Sequence, residues 1–241
     1  MTIQYKKPSW DIPDNIRAYY TTRIGGSSKN NYRYSNLSLD VGDAQTNVKK
    51  NRNELKKLLG YKLNPCWMKQ IHSSYIKKVS EDTTNVVCDS TYTDVPGLPC
   101  VVLSADCLPI LVCNKNGSKV GVIHVGWRGL HNGIISKFVK RFSKNPNEII
   151  CWIGPSITPD NYIVKEDVYN KLSKISKKIF TKNESDTWKL NLRMCASLIL
   201  KREGVRKIFG DEMCTYQNLN LYYSYRAQNI TGRIASLIWI E

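Results

Sequence analysis

Apolar positions along this chain fall into short runs separated by turn-forming residues. Cys66–Ile71, Tyr75–Val79, Val86–Cys88, Cys100–Leu103, Ile110–Cys113 and Val120–Val125 predict strands, most of them rich in Val or Ile. Asn114–Ser118 supplies a turn between two of these runs. Ile149–Ile153, Val205–Phe209 and Ile234–Ile240 predict further strands. The helical period appears elsewhere. Thr46 to Gly60 predicts a helix with Thr46 as N-cap, Leu55, Leu58 and Leu59 apolar, and Gly60 as its stop. A second helix begins near Gly129, where Leu130, Ile134, Ile135, Phe138, Val139 and Phe142 make one apolar stripe. Val168, Leu172, Ile175 and Ile179 recur at helical spacing, and Asn191 to Glu203 predicts a helix ending at Gly204. Thr22 to Asn36, rich in Gly, Ser, Asn and Arg, predicts a loop. The strands come in consecutive groups rather than alternating with helices. That favours an α+β fold with mixed sheets over a doubly wound parallel sheet.

Composition narrows the class. The 241 residues contain no repeat, low-complexity tract or long linker, so one domain over residues 1–241 is expected. A chain of this length buries roughly 70% of its unfolded surface and needs neither disulfides nor metal merely to fold. The formal charge of +16 favours anionic partners. Much of it lies in lysine pairs such as Lys49-Lys50, Lys56-Lys57 and Lys177-Lys178, which predict a solvated basic surface. No zinc-finger, RNA-recognition or KH signature accompanies the charge, so nucleic acid is not an expected partner. The N-terminus has no apolar core of a signal peptide. The most apolar stretch, Leu98 to Cys113, is interrupted by Ser104, Asp106 and Pro109, so no membrane partner is expected. Eight cysteines, none in a C-x-x-C pair and most within apolar runs, read as buried thiols of a cytoplasmic protein. No Rossmann or P-loop glycine pattern is present.

The candidate chemistry lies at strand ends. Of the three histidines, His72 follows the run Cys66–Ile71 and His124 lies near the end of Val120–Val125. Cys107 sits between two apolar runs. Two imidazoles and a thiolate make a three-ligand set for Zn²⁺ with a fourth position left for water or substrate. The same residues also fit a cysteine hydrolase, with Cys107 as nucleophile and either histidine as base, or simply hydrogen-bonded residues of a core. Asp106, adjacent to Cys107, is the candidate carboxylate for orienting a histidine and for proton transfer. Val125-Gly126-Trp127-Arg128-Gly129 joins a strand to a helix. Gly126 and Gly129 permit close approach of backbone to a ligand, and Arg128 offers a bidentate grip on phosphate or carboxylate. Thr22-Arg23-Ile24-Gly25-Gly26-Ser27-Ser28 has the same character, and Arg226 and Arg233 lie beside turn residues near the end.

Taken together, these segments resemble the bacterial purine nucleoside phosphorylase family formerly labelled laccase-like multicopper polyphenol oxidase (YfiH-like). The resemblance runs through Thr22–Ser27, Ser35–Leu39, Val41-Gly42-Asp43, Asn51-Arg52, Gln70-Ile71-His72, Asp89 and Thr93–Gly97. It is strongest at Ala105-Asp106-Cys107-Leu108-Pro109 and His124–Gly129, and continues at Ile153–Ile157, Ser224-Tyr225-Arg226 and Thr231-Gly232-Arg233. It implies stacked mixed β-sheets flanked by α-helices, and zinc on His72, Cys107 and His124. It further implies phosphorolysis of adenosine, inosine, guanosine and methylthioadenosine, with adenosine deamination as a second activity. Arg23, Ser27, Arg128 and Arg226 take the binding positions, beside Gly126 and Gly129. Purine nucleosides and phosphate are then the expected partners, and a monomer or homodimer the expected state. Thr158–Asn161 and Ala227-Gln228 depart from the family pattern and bear on substrate preference. The older laccase label fails on a count. Beyond the trio only His131 remains, too few histidines for a multicopper centre, so copper would be an adventitious occupant of the zinc site.

Overall fold

A strand that is apolar on both faces must be covered on both faces. The computed structural model, which describes residues 1–84, 86–210 and 212–241, satisfies this demand by stacking two sheets between helices. Its first strands are β1 (Tyr5–Lys6), β2 (Ile16–Thr21), β3 (Ile76–Lys78), β4 (Ser90–Thr93), β5 (Cys100–Ser104), β6 (Leu108–Asn114) and β7 (Val120–Val125). They are followed by β8 (Ile149–Ile153), β9 (Ile163–Lys165), β10 (Phe180–Lys182), β11 (Thr187–Leu190), β12 (Lys207–Gly210) and β13 (Ile234–Ile240). The helices are α1 (Gln45–Leu59), α2 (Trp127–His131), α3 (Ile134–Phe142), α4 (Glu166–Leu172), α5 (Leu192–Arg202) and α6 (Tyr225–Gln228). The expected mixed α+β class is what these elements form.

The six-stranded sheet runs β12-β8-β6-β7-β4-β3 and the four-stranded sheet β1-β2-β13-β5. Alternation along the strands divides their side chains between two cores. Leu108, Ile110 and Val112 of β6 pack with Phe138 of α3 and Leu200 of α5. Leu111 and Cys113 of the same strand face the second sheet, among Val102, Ile234 and Trp152. The outer face of the four-stranded sheet, with Val101, Leu237 and Trp239, packs with Leu55 of α1. The central strands are thus covered on both sides, and open space for chemistry remains at their ends. β9, β10 and β11 form a small antiparallel sheet beside α4.

Several expected elements end differently. Cys66–Ile71 and Val86–Cys88 form no strand, only the bridge between Lys69 and Val87. The Gln70 side chain takes the place of a ladder there: its amide donates to Leu103 O and its oxygen accepts from Leu103 N, each at 2.8 Å. The stripe from Leu130 to Phe142 lies on two helices, because Gly133 adopts φ 75° between α2 and α3. The helix through Val168 stops at Leu172, and a 3₁₀ turn covers Lys177–Ile179. Ser176 caps that turn, its hydroxyl accepting from Lys178 N, a local bond that competes with helix propagation. At the first helix Ala44, not Thr46, is the N-cap, while Gly60 closes it at φ 70° as expected.

Candidate metal centre

The hairpin of β6 and β7 assembles the first part of the site. Its antiparallel register pairs Leu108 with Val125 and Pro109 with His124. Cys107, just before β6, therefore lies beside His124 and Gly126 at the open end of the hairpin. His72 enters from the loop before β3. One potential ligand atom from each of His72, Cys107 and His124 lies within 4.8 Å of the others. Cys107 Sγ is 3.8 Å from His72 Nε2, and the imidazole centroids are 4.9 Å apart. His124 is buried, Cys107 half-buried and His72 exposed, so the trio opens to one side.

Asp89 organises this trio. Its Oδ1 is 2.9 Å from His124 Nδ1, which leaves Nε2 of that ring for the ligand position. The same carboxylate accepts from the backbone N–H of His72 at 2.9 Å, and from Ser73 N at 2.6 Å and Ser73 Oγ at 2.7 Å. These bonds hold His72 at φ 58°, a left-handed conformation that a non-glycine residue keeps only when its surroundings impose it. Burial opposes ionisation of Asp89, but the bonds from His124 and Ser73 outweigh it and bring the carboxyl down to about 2. Burial likewise disfavours charge on Cys107 and His124. Their attraction prevails, pulling the thiol below its ordinary value and pushing the imidazole above its own.

The donor set fits a metal. Two imidazole nitrogens and a thiolate suit borderline-soft Zn²⁺, and a carboxylate on the second ring nitrogen of one histidine is a usual support. Gly126 leaves room for it: a Cβ there would stand 3.1 Å from Cys107 Sγ and 3.2 Å from His72 Cδ2.

The trio borders a cavity of about 460 Å³. Gly126, Arg128, Arg226 and Arg233 line it, with Asp40, Gln70 and the apolar or aromatic Met68, Leu103, Ile157, Tyr162 and Tyr225. Arg128 stacks on Trp127 with its guanidinium 4.4 Å from the ring centroid, and its charge acts on the Tyr162 phenol. Arg226 donates to Ile163 O at 2.9 Å and lies 5.0 Å over Tyr162. Arg233 donates to Thr231 O and Gly232 O. Burial lowers its ordinary value, and the proximity of Cys107 and Asp106 works against that.

Other expected site residues stand elsewhere. Arg23 and Ser27 do not line the cavity. Arg23 is buried, and its guanidinium donates to the carbonyls of Arg33 and Leu219. Ser27 donates its N–H to Asn51 Oδ1 at 2.7 Å, and Gly26 is needed because a Cβ would meet that same oxygen. The Thr22–Ser28 segment is a structural clamp on the loop it precedes. Gly129 is a packing glycine, its Cβ position 3.3 Å from Ile134 Cγ2. Asp106 borders the cavity, yet its carboxylate is bonded to Thr215, Ser224 and Arg226 N. Asp89, not Asp106, is the carboxylate on the His124 ring. The eight cysteines are all free thiols. No helix among the described residues is long and apolar enough to cross a membrane.

The family model described as multi-copper polyphenol oxidoreductase laccase matches residues 17–241. A Haemophilus influenzae protein named purine nucleoside phosphorylase is 37% identical over 244 residues, covering 99% of this chain and 100% of its own length. The Escherichia coli K12 protein named purine nucleoside phosphorylase YfiH is 35% identical over 236 residues, 97% of each chain. Among solved structures, Neisseria meningitidis protein NMB0706 superposes with a TM-score of 0.93 at 33% identity, over 98% of this chain and 99% of that one. YlmD from Geobacillus stearothermophilus superposes with a TM-score of 0.88 at 30% identity, over 95% and 93%.

Proposed function

This chain belongs to the family described as multi-copper polyphenol oxidoreductase laccase, and from that premise we propose that it is a zinc-dependent purine nucleoside phosphorylase. The substrates are adenosine, inosine, guanosine and methylthioadenosine, and deamination of adenosine is a second activity. Relatives that carry the name purine nucleoside phosphorylase support the reaction class. The observation that carries the reading is the cavity in which His72, Cys107 and His124 meet Arg128, Arg226 and Arg233. The histidine count argues against the oxidase in the family's description. With His131 alone outside the trio, the chain lacks the ligands of a multicopper centre.

Phosphorolysis breaks the bond from the anomeric carbon to the purine nitrogen and joins that carbon to a phosphate oxygen. The purine nitrogen takes a proton as it leaves. Positive charge builds on the sugar, so an anion held beside it is stabilising. Arg128, exposed on the cavity beside Trp127, is positioned to hold that dianion, with Arg226 and Arg233 adding charge on the same cavity. Tyr162, Tyr225 and Met68 offer aromatic and apolar surface to a flat base. His72, Cys107 and His124 would hold zinc, which supplies a Lewis acid toward a phosphate oxygen or toward water. Asp89 keeps the His124 ring in the orientation and tautomer that such ligation requires.

The test is incubation of the zinc-loaded protein with adenosine, with and without phosphate, and identification of the products. Phosphate-dependent release of adenine with ribose 1-phosphate is expected, together with phosphate-independent inosine and ammonia. Arg128→Ala should lower phosphorolysis on the order of tenfold to a hundredfold and deamination far less, since only phosphorolysis uses phosphate. Absence of any phosphate-dependent product overturns the reading. A second reading, a cysteine hydrolase, draws on the Asp89–His124 pair beside a thiol of lowered pKa. Hydrolytic activity that survives complete metal removal would favour it.

A further inference from the structure

We propose that Asp106 is a positioning residue that latches the segment Thr215–Arg226 to the Cys107 loop and so seats Arg226 at the cavity. Asp106 is 8% exposed and adopts φ 86°. Its Oδ1 accepts from the Thr215 hydroxyl at 2.6 Å. Its Oδ2 accepts from the Ser224 hydroxyl at 3.0 Å and from the backbone N–H of Arg226 at 2.6 Å. Its own carbonyl accepts from Ile157 N at 3.0 Å. One residue thereby ties together three stretches that are distant in sequence, each of which reaches the site.

The bonds have a direction of consequence. Ser224 is the N-cap of α6, and its oxygen also accepts from Ala227 N at 3.2 Å. The hydroxyl hydrogen is committed to Asp106 and the lone pair to the helix. With Arg226 N on the same carboxylate oxygen, the start of α6 is fixed to the residue that precedes Cys107. The Arg226 side chain is then held at its far end by Ile163 O and the Tyr162 ring. The left-handed backbone of Asp106 is costly outside glycine, a cost sustained only where surrounding bonds over-determine it. Three donors on two oxygens leave little of the carboxylate for a reacting proton. The geometry therefore assigns Asp106 to the architecture of the anion site and not to proton transfer.

Two variants and two readouts test this. Asp106→Ala leaves the Thr215, Ser224 and Arg226 donors without an acceptor. Asp106→Asn can keep all three contacts, its amide donating to Thr215 Oγ1 and its oxygen accepting from Ser224 and Arg226. Hydrogen–deuterium exchange of residues 221–230 in the zinc-loaded protein should rise at least about tenfold in Asp106→Ala, with α5 unchanged, and return most of the way in Asp106→Asn. In steady-state assays Asp106→Ala should raise the KM for phosphate by about tenfold or more while zinc stoichiometry stays at one per chain. Asp106→Asn should recover most of that loss. Equal damage in both variants, with normal exchange, would make the ionised carboxylate itself a participant and overturn the proposal, as would an unchanged exchange pattern in Asp106→Ala. The kinetic arm rests on the phosphorylase reading, and the exchange arm does not. A wild-type protein without phosphorolysis would sink that reading and leave the latch to be decided by exchange.

Discussion

Asp89 couples two ligands of this site through one carboxylate. It orients the His124 ring through Nδ1 and holds the backbone of His72 in a left-handed turn. Asp89→Asn keeps the shape but replaces one acceptor oxygen with a donor. Zinc affinity, measured by competition with a chromophoric chelator, should fall about 10–100-fold. Unchanged affinity would mean that the backbone alone places the histidines. The trio itself was legible in the sequence, since each member stands at or near the end of an apolar run, where side chains converge on open space. The role of Asp89 was not. It appeared only within a family motif, and its meeting with His124 depends on the pairing of β4 with β7, where His124 N also donates to Asp89 O. Arg23 and Ser27 stand apart from the cavity. An arginine among glycines and hydroxyls has the composition of an anion loop, but here the backbone carbonyls of Arg33 and of distant Leu219 take the guanidinium's donors.

Among the elements, those with strong local signals agree with the sequence, and those decided by partners do not. β7 and β8 have the bounds that their Val and Ile runs predict, and α5 lies within the expected Asn191–Glu203 stretch, capped by Asn191, whose side chain accepts from Met194 N at 2.8 Å. Asn191→Ala removes that acceptor. It should lower the stability of the protein by about 1 kcal/mol in urea denaturation, without change in zinc content. A loss below the error of the measurement would mean that α5 is held by packing alone. β2 was not predicted, because Ile16, Ala18 and Tyr20 alternate with Arg17 and Tyr19 over too short a span to separate it from loop. Its place beside β13 is decided by the far end of the chain. The helix expected through Ile179 shows the reverse error. Val168, Leu172 and Ile179 do share one core, as the spacing required, but two elements bring them there instead of one.

For the whole molecule, the two stacked sheets leave the cavity as a feature of strand ends and of the loops that cross them. The same arrangement puts the charge of Asp89 at 0% exposure in the protein, where it contributes to stability. Its folded carboxyl lies below the ordinary value of 3.8, at about 2. The contribution is therefore complete above the unfolded value and is lost as the pH falls through the folded one. A shift of this size corresponds to about 2 kcal/mol. In the metal-free protein, wild type should be more stable than Asp89→Asn near neutrality, and the gap should close as the pH approaches 2. A gap that stays constant across that range would assign the difference to packing and not to ionisation. Zinc must be absent from this comparison, since binding to the folded state would add its own stabilisation.

The β6–β7 hairpin, described above as geometry, also sets an order of assembly. Contacts between neighbouring strands joined by a short turn close quickly, on the order of 1–10 μs, whereas pairings of distant segments wait for larger loops to close. Cys107 and His124 are brought together by that local event. His72 depends on more distant contacts, the pairing of β4 with β7 and the Asp89 carboxylate that holds its turn, so it is expected to join last. Zinc offered during refolding should therefore meet a two-toothed chelate first, and the ligand expected last, His72, is the one that faces solvent.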